Sequence, residues 1–263
     1  VFTDEKTITP ATRDAIARAV RAGVAVLPVT GRPRSGLPEE VLAIPGVRYA
    51  ITSNGAMCED LAEDKVLVRL AMDEETAMRA LRIAEKYDVV IDIYIDGQAY
   101  TAADSMRLVQ THVPESFRPY FLKTRRLVED RGRFLRQTGR GAEKFTILFQ
   151  DMAQRAAAWK EFEHTGLFEL SGGIPENIEV NAKGVDKGRA LLALAERLGL
   201  SRGQTMACGD ASNDLAMLRA AGLGVAMGNA TPEAVAAADV QTDTNNNDGV
   251  AKAIRRWVLC EEV

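Results

Sequence analysis

A chain of 263 residues with 46% apolar side chains can bury an ordinary core and lies near the size at which one core divides into two. Its 33 basic and 37 acidic residues leave a net charge of -4, which excludes the basic character of a general nucleic-acid binder. Cys58, Cys208 and Cys260 have no paired spacing, which excludes a disulfide framework or zinc site and fits a reducing cytoplasm; no signal peptide and no apolar run of bilayer-spanning length is visible.

In chain order, Thr9-Pro10 reads as an N-cap followed by proline at the first helical position, with Ile16 and Val20 on one helical face and Gly23 as the stop. Val24 to Val29 is expected as a buried strand, with a bulge or an end of pairing at Pro28. Tyr49 to Thr52 is a second strand running into Ser53-Asn54-Gly55-Ala56. This alternation predicts an α/β fold with a doubly wound parallel sheet. From Asp73 the texture changes. A helix to about Tyr87 precedes an expected hairpin of Val89–Ile95 and Gln98–Thr101 around Asp96-Gly97. A strand over 144–149, a helix over 153–164 and strands over 167–170 and 177–180 complete an α+β unit. The core pattern then resumes with a helix from Lys187 to Leu198, strands over 205–208 and 224–226, a helix after Asn213 and a last helix toward Trp257.

Several turns carry chemistry. Thr30-Gly31 at a strand end presents a hydroxyl and backbone amides to an anion with no side chain in the way. Arg32 and Asn54-Gly55 sit at neighbouring strand ends, where ligands of doubly wound sheets collect. Lys187 opens a helix, an unfavourable place for an ammonium unless an anion is near. Met206-Ala207-Cys208 runs into Gly209-Asp210-Ala211-Ser212-Asn213-Asp214, a strand end presenting two carboxylates and an amide. Magnesium needs only one or two carboxylates once a phosphate completes its shell. Asn213 reads equally as a phosphate donor and as a plain N-cap. The arginine-rich 118–144 segment reads as a solvated face, Trp159 with Phe162 as core, and the turns around Gly228-Asn229-Ala230 and Asp243–Asp248 as structural.

Together, Val29-Thr30-Gly31-Arg32-Pro33, Lys183-Gly184-Val185-Asp186-Lys187-Gly188, Asp210 to Asp214 and Ala226-Met227-Gly228-Asn229-Ala230 resemble the haloacid dehalogenase (HAD) superfamily, specifically its Cof-type phosphatases. The resemblance implies a Rossmann-like core over 1–72 and 181–263 with an inserted α+β cap over 73–180. It implies magnesium-dependent hydrolysis of small phosphorylated metabolites, sugar phosphates among them, through an aspartyl-phosphate. Thr30 and Lys187 are the catalytic residues it assigns. Phosphate is expected to be held by Thr30, Gly31, Arg32, Asn54, Gly55, Lys187 and Asn213. Mg2+ is expected at Asp210, with Asp214 acting through water or orienting Lys187. The family's Asp-x-Asp pair, nucleophile and acid/base, is expected just upstream of Val1, on a central strand whose neighbours would otherwise have unpaired backbone. Asp4 is not expected to replace it, because no buried strand supports it. A monomer or homodimer acting on a small substrate, with neither nucleic acid nor membrane as partner, is expected. The rival readings are a catalytically degenerate protein that binds a phosphorylated ligand, and a phosphomutase.

Overall fold

The computed structural model of the protein describes residues 1–261. Its first helix, Pro10–Arg21, starts as the sequence dictates, with the Thr9 side chain accepting from the Thr12 amide and proline at the first turn. Strand β1 (Tyr49–Thr52) follows, then β2 (Met57–Asp60) and β3 (Lys65–Arg69), which pair in a three-stranded antiparallel order. Two features here correct the sequence reading. The expected strand over Val24–Val29 is not formed as a strand, and only an isolated parallel bridge joins Val29 to Ile51. The β2–β3 extension was not anticipated, because Glu59 and Asp60 interrupt its apolar pattern.

The Glu74–Ala84 helix is capped by Asp73, whose carboxylate accepts from the Thr76 amide at 2.7 Å. A six-stranded sheet follows, built from β4 (Val89–Ile95), β5 (Gln98–Ala102), β6 (Arg125–Val128), β7 (Lys144–Phe149), β8 (Phe168–Ser171) and β9 (Asn177–Ala182), in the order β6-β5-β4-β7-β9-β8. The hairpin β4–β5 forms as expected, and β9 runs through the expected boundary at residue 180. Because side chains alternate along each strand, register decides the character of each face. Ile91, Ile93, Ile95, Phe145, Ile147, Phe149, Ile178 and Val180 form one face and pack under the Glu74–Ala84 and Met152–His164 helices. The other face places Asp92 opposite Thr146 and Thr146 opposite Glu179, with Tyr94 opposite Lys144.

The chain then returns to the core with the Lys187–Arg197 helix and three parallel strands, β10 (Met206–Gly209), β11 (Leu223–Ala226) and β12 (Val240–Gln241). Helices over Leu215–Ala220, Pro232–Ala237 and Gly249–Ala253 connect or follow them, and a π-helical turn ends the last at Ile254–Val258. Among the described residues no ladder joins β10 to the Val24–Val29 segment. Their side chains nevertheless share clusters: Leu27 and Val29 pack with Ala207, and Val26 packs with Met206 and Cys208. The fold is α/β with a Rossmann-like core and an α+β cap.

Candidate active site

The site is assembled by four loops that touch in sequence. Ile51 donates its N–H to the Pro28 carbonyl and accepts from the Thr30 amide, both at 2.9 Å, which fixes the Thr30 loop to the end of β1. The Thr30 hydroxyl oxygen accepts from the Arg32 amide at 3.1 Å, closing a tight turn and leaving the hydroxyl proton to donate elsewhere. Asn54 donates its N–H to the Thr30 carbonyl at 3.1 Å. Ser53, Asn54 and Gly55 all have positive φ, at 52°, 59° and 102°. At Gly55 a side chain would also strike the Asp186 carbonyl, so glycine is required both for the turn and for its approach to the residue before Lys187.

Lys187 opens its helix after Asp186, whose side chain accepts from the Arg189 amide. Its ammonium is buried and donates to the Asp214 carboxylate at 2.7 Å. The close packing of Gly188 on the Ala216 carbonyl holds the two helices together at this point. The other Asp214 oxygen accepts from the Asp210 and Ala211 amides at 3.0 and 3.3 Å. Asp214 is therefore fully engaged in holding Lys187 and the turn. Asp210 differs. Its side chain is exposed and takes only a 3.4 Å bond from the Asn229 amide, so its carboxylate keeps acceptor capacity for a hard cation. Among the described residues no three His, Cys, Asp or Glu side chains are grouped as a metal site.

The other expected site residues divide. Gly31 and Asn54 lie in the assembled loops, and Asn54 is buried. Its amide nitrogen is turned to Glu179 at 2.7 Å, while its carbonyl oxygen has no partner. The Arg32 guanidinium lies over the Tyr120 ring at 4.5 Å and donates to the Gly36 carbonyl, which turns it toward the cap. Asn213 is half-buried in the Ser212–Asp214 turn, before the helix from Leu215. Asp4 is exposed and accepts from the Asn245 and Asn246 side chains, each at 2.8 Å, and these bonds hold its carboxyl below the usual range. It is a tethered surface group, without the rigid support a nucleophile needs.

The sequence reading missed the residues that fasten the cap to these loops. Lys144 is 1% exposed and donates at 2.6 Å both to the Gly31 carbonyl and to Glu179. Burial acts to raise the Glu179 carboxyl, but the Lys144 ammonium and bonds from Lys144 and Asn54 hold it below its ordinary value. Asn181 donates to the carbonyls of Ser53 and Glu143. Ser53 donates from its hydroxyl to Glu143 at 2.8 Å, and burial pushes the Glu143 carboxyl above its ordinary value. Arg125 is likewise buried, at 2.7 Å from Asp92, and packs over Phe117, Tyr120 and Phe121. The 118–144 segment is therefore no simple solvated face. Arg126, Arg133, Arg136 and Arg140 are exposed, but Arg125 and Lys144 are interior. Asn229, read as structural, touches Asp210 and accepts from the Asn245 amide at 2.9 Å.

A Rossmann-like sheet whose strand ends gather a threonine loop, a buried lysine–aspartate pair and an open aspartate, under an α+β cap, defines a phosphoryl-transfer class of HAD fold. The family of haloacid dehalogenase-like hydrolases matches residues 1–254, and the chain belongs to that family. It is 28% identical to the pyridoxal phosphate phosphatase of Escherichia coli, over 97% of this chain and 93% of that protein. A 116-residue stretch is 47% identical to the 5-amino-6-(5-phospho-D-ribitylamino)uracil phosphatase of Bacillus subtilis, covering 44% of this chain and 47% of that one. In fold it matches a haloacid dehalogenase-like hydrolase from Bacteroides thetaiotaomicron at a TM-score of 0.81, 25% identical, over 97% and 94% of the two chains. A subclass IIB sugar phosphatase matches at 0.80, 23% identical, over 98% and 95%.

Proposed function

We propose that the protein is a magnesium-dependent phosphomonoester hydrolase acting on small phosphorylated metabolites through an aspartyl-phosphate. The observation that carries this reading is the division of labour at the end of β10, where Asp214 is consumed by Lys187 and the turn amides while Asp210 is left open. The Thr30 hydroxyl and Gly31 amide bind the phosphoryl group, and Lys187 neutralises its oxygens at a fixed point set by Asp214. Asp210 holds the magnesium, which when bound supplies a Lewis acid for a phosphoryl oxygen. Asn213 donates to the same group. The nucleophilic aspartate and its acid/base neighbour are assigned upstream of Val1. The cap, assigned to 73–180, excludes water through its bonds to Gly31, Ser53 and Asn54.

No helix among the described residues is long and apolar enough to cross a membrane. Cytoplasmic residence is part of the same proposal and rests on the three free thiols. The test is rapid acid quench of the full-length protein with a small ester carrying radioactive phosphate. A protein-bound label that hydroxylamine releases, followed by free phosphate only when magnesium is present, is the expected result. Tight binding of the ester with neither label nor release would favour the degenerate ligand-binding reading.

A further inference from the structure

Beneath the tip of the cap's β4–β5 hairpin, the seam holds two carboxylates, one from each side. The tip, Asp96-Gly97, lies flush on the core segment Arg34–Gly36: the Ser35 amide donates to the Gly97 carbonyl at 2.8 Å, and a side chain at Gly97 would meet the Arg34 side chain at 2.9 Å. Glu59, on β2, belongs to the core, and Glu143, just before β7, belongs to the cap; both are buried. Two consecutive core hydroxyls, themselves fully buried, hold them. Thr52 donates to Glu59 at 3.1 Å, and Ser53 donates to Glu143 at 2.8 Å. The Gly97 amide donates to the other Glu143 oxygen at 2.7 Å. One bond to Glu143 thus crosses the seam, and the other ties the same carboxyl to the hairpin tip.

The cations nearby are committed elsewhere. Arg34 lies 3.6 Å from Glu59 but 2.6 Å from the exposed Asp64. Glu143 makes no ion pair among the described residues. Of the charged groups around it, Arg69 and Arg140 both turn to Asp96, at 3.7 and 2.8 Å, and Lys144 is held by the Gly31 carbonyl and Glu179. Ionising Glu143 with the tip docked puts a second negative charge into a dry seam that already holds Glu59, with two neutral donors and no paired cation to offset it. Lifting the cap breaks the Ser53 bond, hydrates Glu143 and parts it from Glu59. Both carboxyls lie above their ordinary value in the docked form: burial raises each, and the Glu59 charge adds to the rise at Glu143. The docked form keeps a proton that the lifted form gives up to solvent. Docking is therefore fully favoured below the ordinary value of 4.5 and weakens as the pH climbs through the raised value.

We infer that Glu143 and Glu59 form a proton-operated latch between cap and core: a proton on the pair holds the hairpin tip against the Arg34–Gly36 segment, and its release to solvent frees the cap to lift. The latch stands apart from the phosphatase reading, so its test uses no substrate. Amide hydrogen exchange is followed by NMR in the full-length protein between about pH 5 and about pH 8, with each rate divided by its unfolded-chain value, in the parent, Glu143→Gln and Glu59→Gln proteins. In the parent, protection of the Ser35 and Gly97 amides is expected to fall by at least about fivefold over that range, while the amides of β7 hold within about twofold. Glu143→Gln fixes the neutral form and keeps both contacts, so its seam protection should stay high and flat. Glu59→Gln removes the like charge and should leave a shallower fall than the parent's. A flat profile in the parent, or the same fall in the parent and in Glu143→Gln, would overturn the latch. Seam protection lowered at every pH by Glu143→Gln would make this residue a packing group and overturn it as well.

Discussion

The core and the cap meet along one seam but treat charge in opposite ways. On the core side, the carboxylate of Asp210 is exposed with one long bond, and of the charged groups in the site loops the Lys187–Asp214 pair is the buried one. On the cap side, Lys144, Glu179, Asp92, Arg125 and Glu143 are all interior. Lys144, Glu179 and Arg125 are each tied by two or more bonds, which leaves them little capacity for a ligand. The difference shows where reaction chemistry can occur. A group that must accept a cation or a phosphoryl oxygen needs unspent bonding capacity, while a group that must hold a loop in register has to spend it.

The sharpest way to break this comparison is to remove the one buried cation on the core side. Lys187→Met leaves Asp214 without its partner in the interior, and is expected to cost about 3–5 kcal/mol of stability together with most of the turnover. Chemical denaturation and phosphate release measure the two effects separately. Asp210→Asn should act on chemistry alone. Turnover is expected to fall by about 10²–10³-fold while the melting temperature stays within about 2 °C of the parent, because the side chain is exposed. Magnesium-dependent turnover that survives Asp210→Ala would remove this residue from the metal site.

A smaller effect probes the cap side. Replacing Lys144 and Glu179 together, as Lys144→Met with Glu179→Gln, deletes a buried ion pair without stranding either charge, so stability should change by about 1 kcal/mol or less. The Gly31 carbonyl loses its ammonium in this variant. Looser phosphate binding, seen as a KM raised about fivefold with the fold intact, is the expected outcome; an unchanged KM would mean that the Thr30 turn holds itself.

The same division explains what was legible in the sequence. The core turns were readable because each is a short motif at a strand end, with glycines at the turns and its chemistry carried by adjacent residues. The cap fasteners are single residues spread over β4, β7 and β9, and each looks like the solvent-facing half of an alternating strand. Register alone puts Asp92, Thr146 and Glu179 in one row, and only a partner from the other side of the seam makes that row an interior. The one available signal was that three strands all alternate toward ionisable or hydroxyl side chains, which is dense for a face with no function. Val24–Val29 shows the converse. Apolar content reads as a buried strand, but a strand needs a partner on at least one edge, and among the described residues of this segment Val29 alone is bridged.

The mildest perturbation is also the most specific, because it changes one proton at the seam. Glu143 sits fully buried at the start of β7, accepting from the Ser53 hydroxyl and, at 2.7 Å, from the Gly97 amide. Burial pushes its carboxyl up, with the Glu59 charge adding to the rise and the bonds from Gly97 and Ser53 opposing it. A carboxyl raised in the folded state retains its proton where the unfolded chain has lost it. Its contribution is therefore fully present below the ordinary value of 4.5 and is lost as the pH climbs through the higher folded value. Glu143→Gln fixes the neutral form and keeps both contacts, since its carbonyl accepts from Gly97 and its amide donates to Ser53. The melting temperature at pH 8 is expected to rise by about 2–4 °C, with the advantage shrinking as the pH falls toward 4.5. An advantage that is the same at both pH values would assign the gain to packing, and the seam would then not sense protons through this residue.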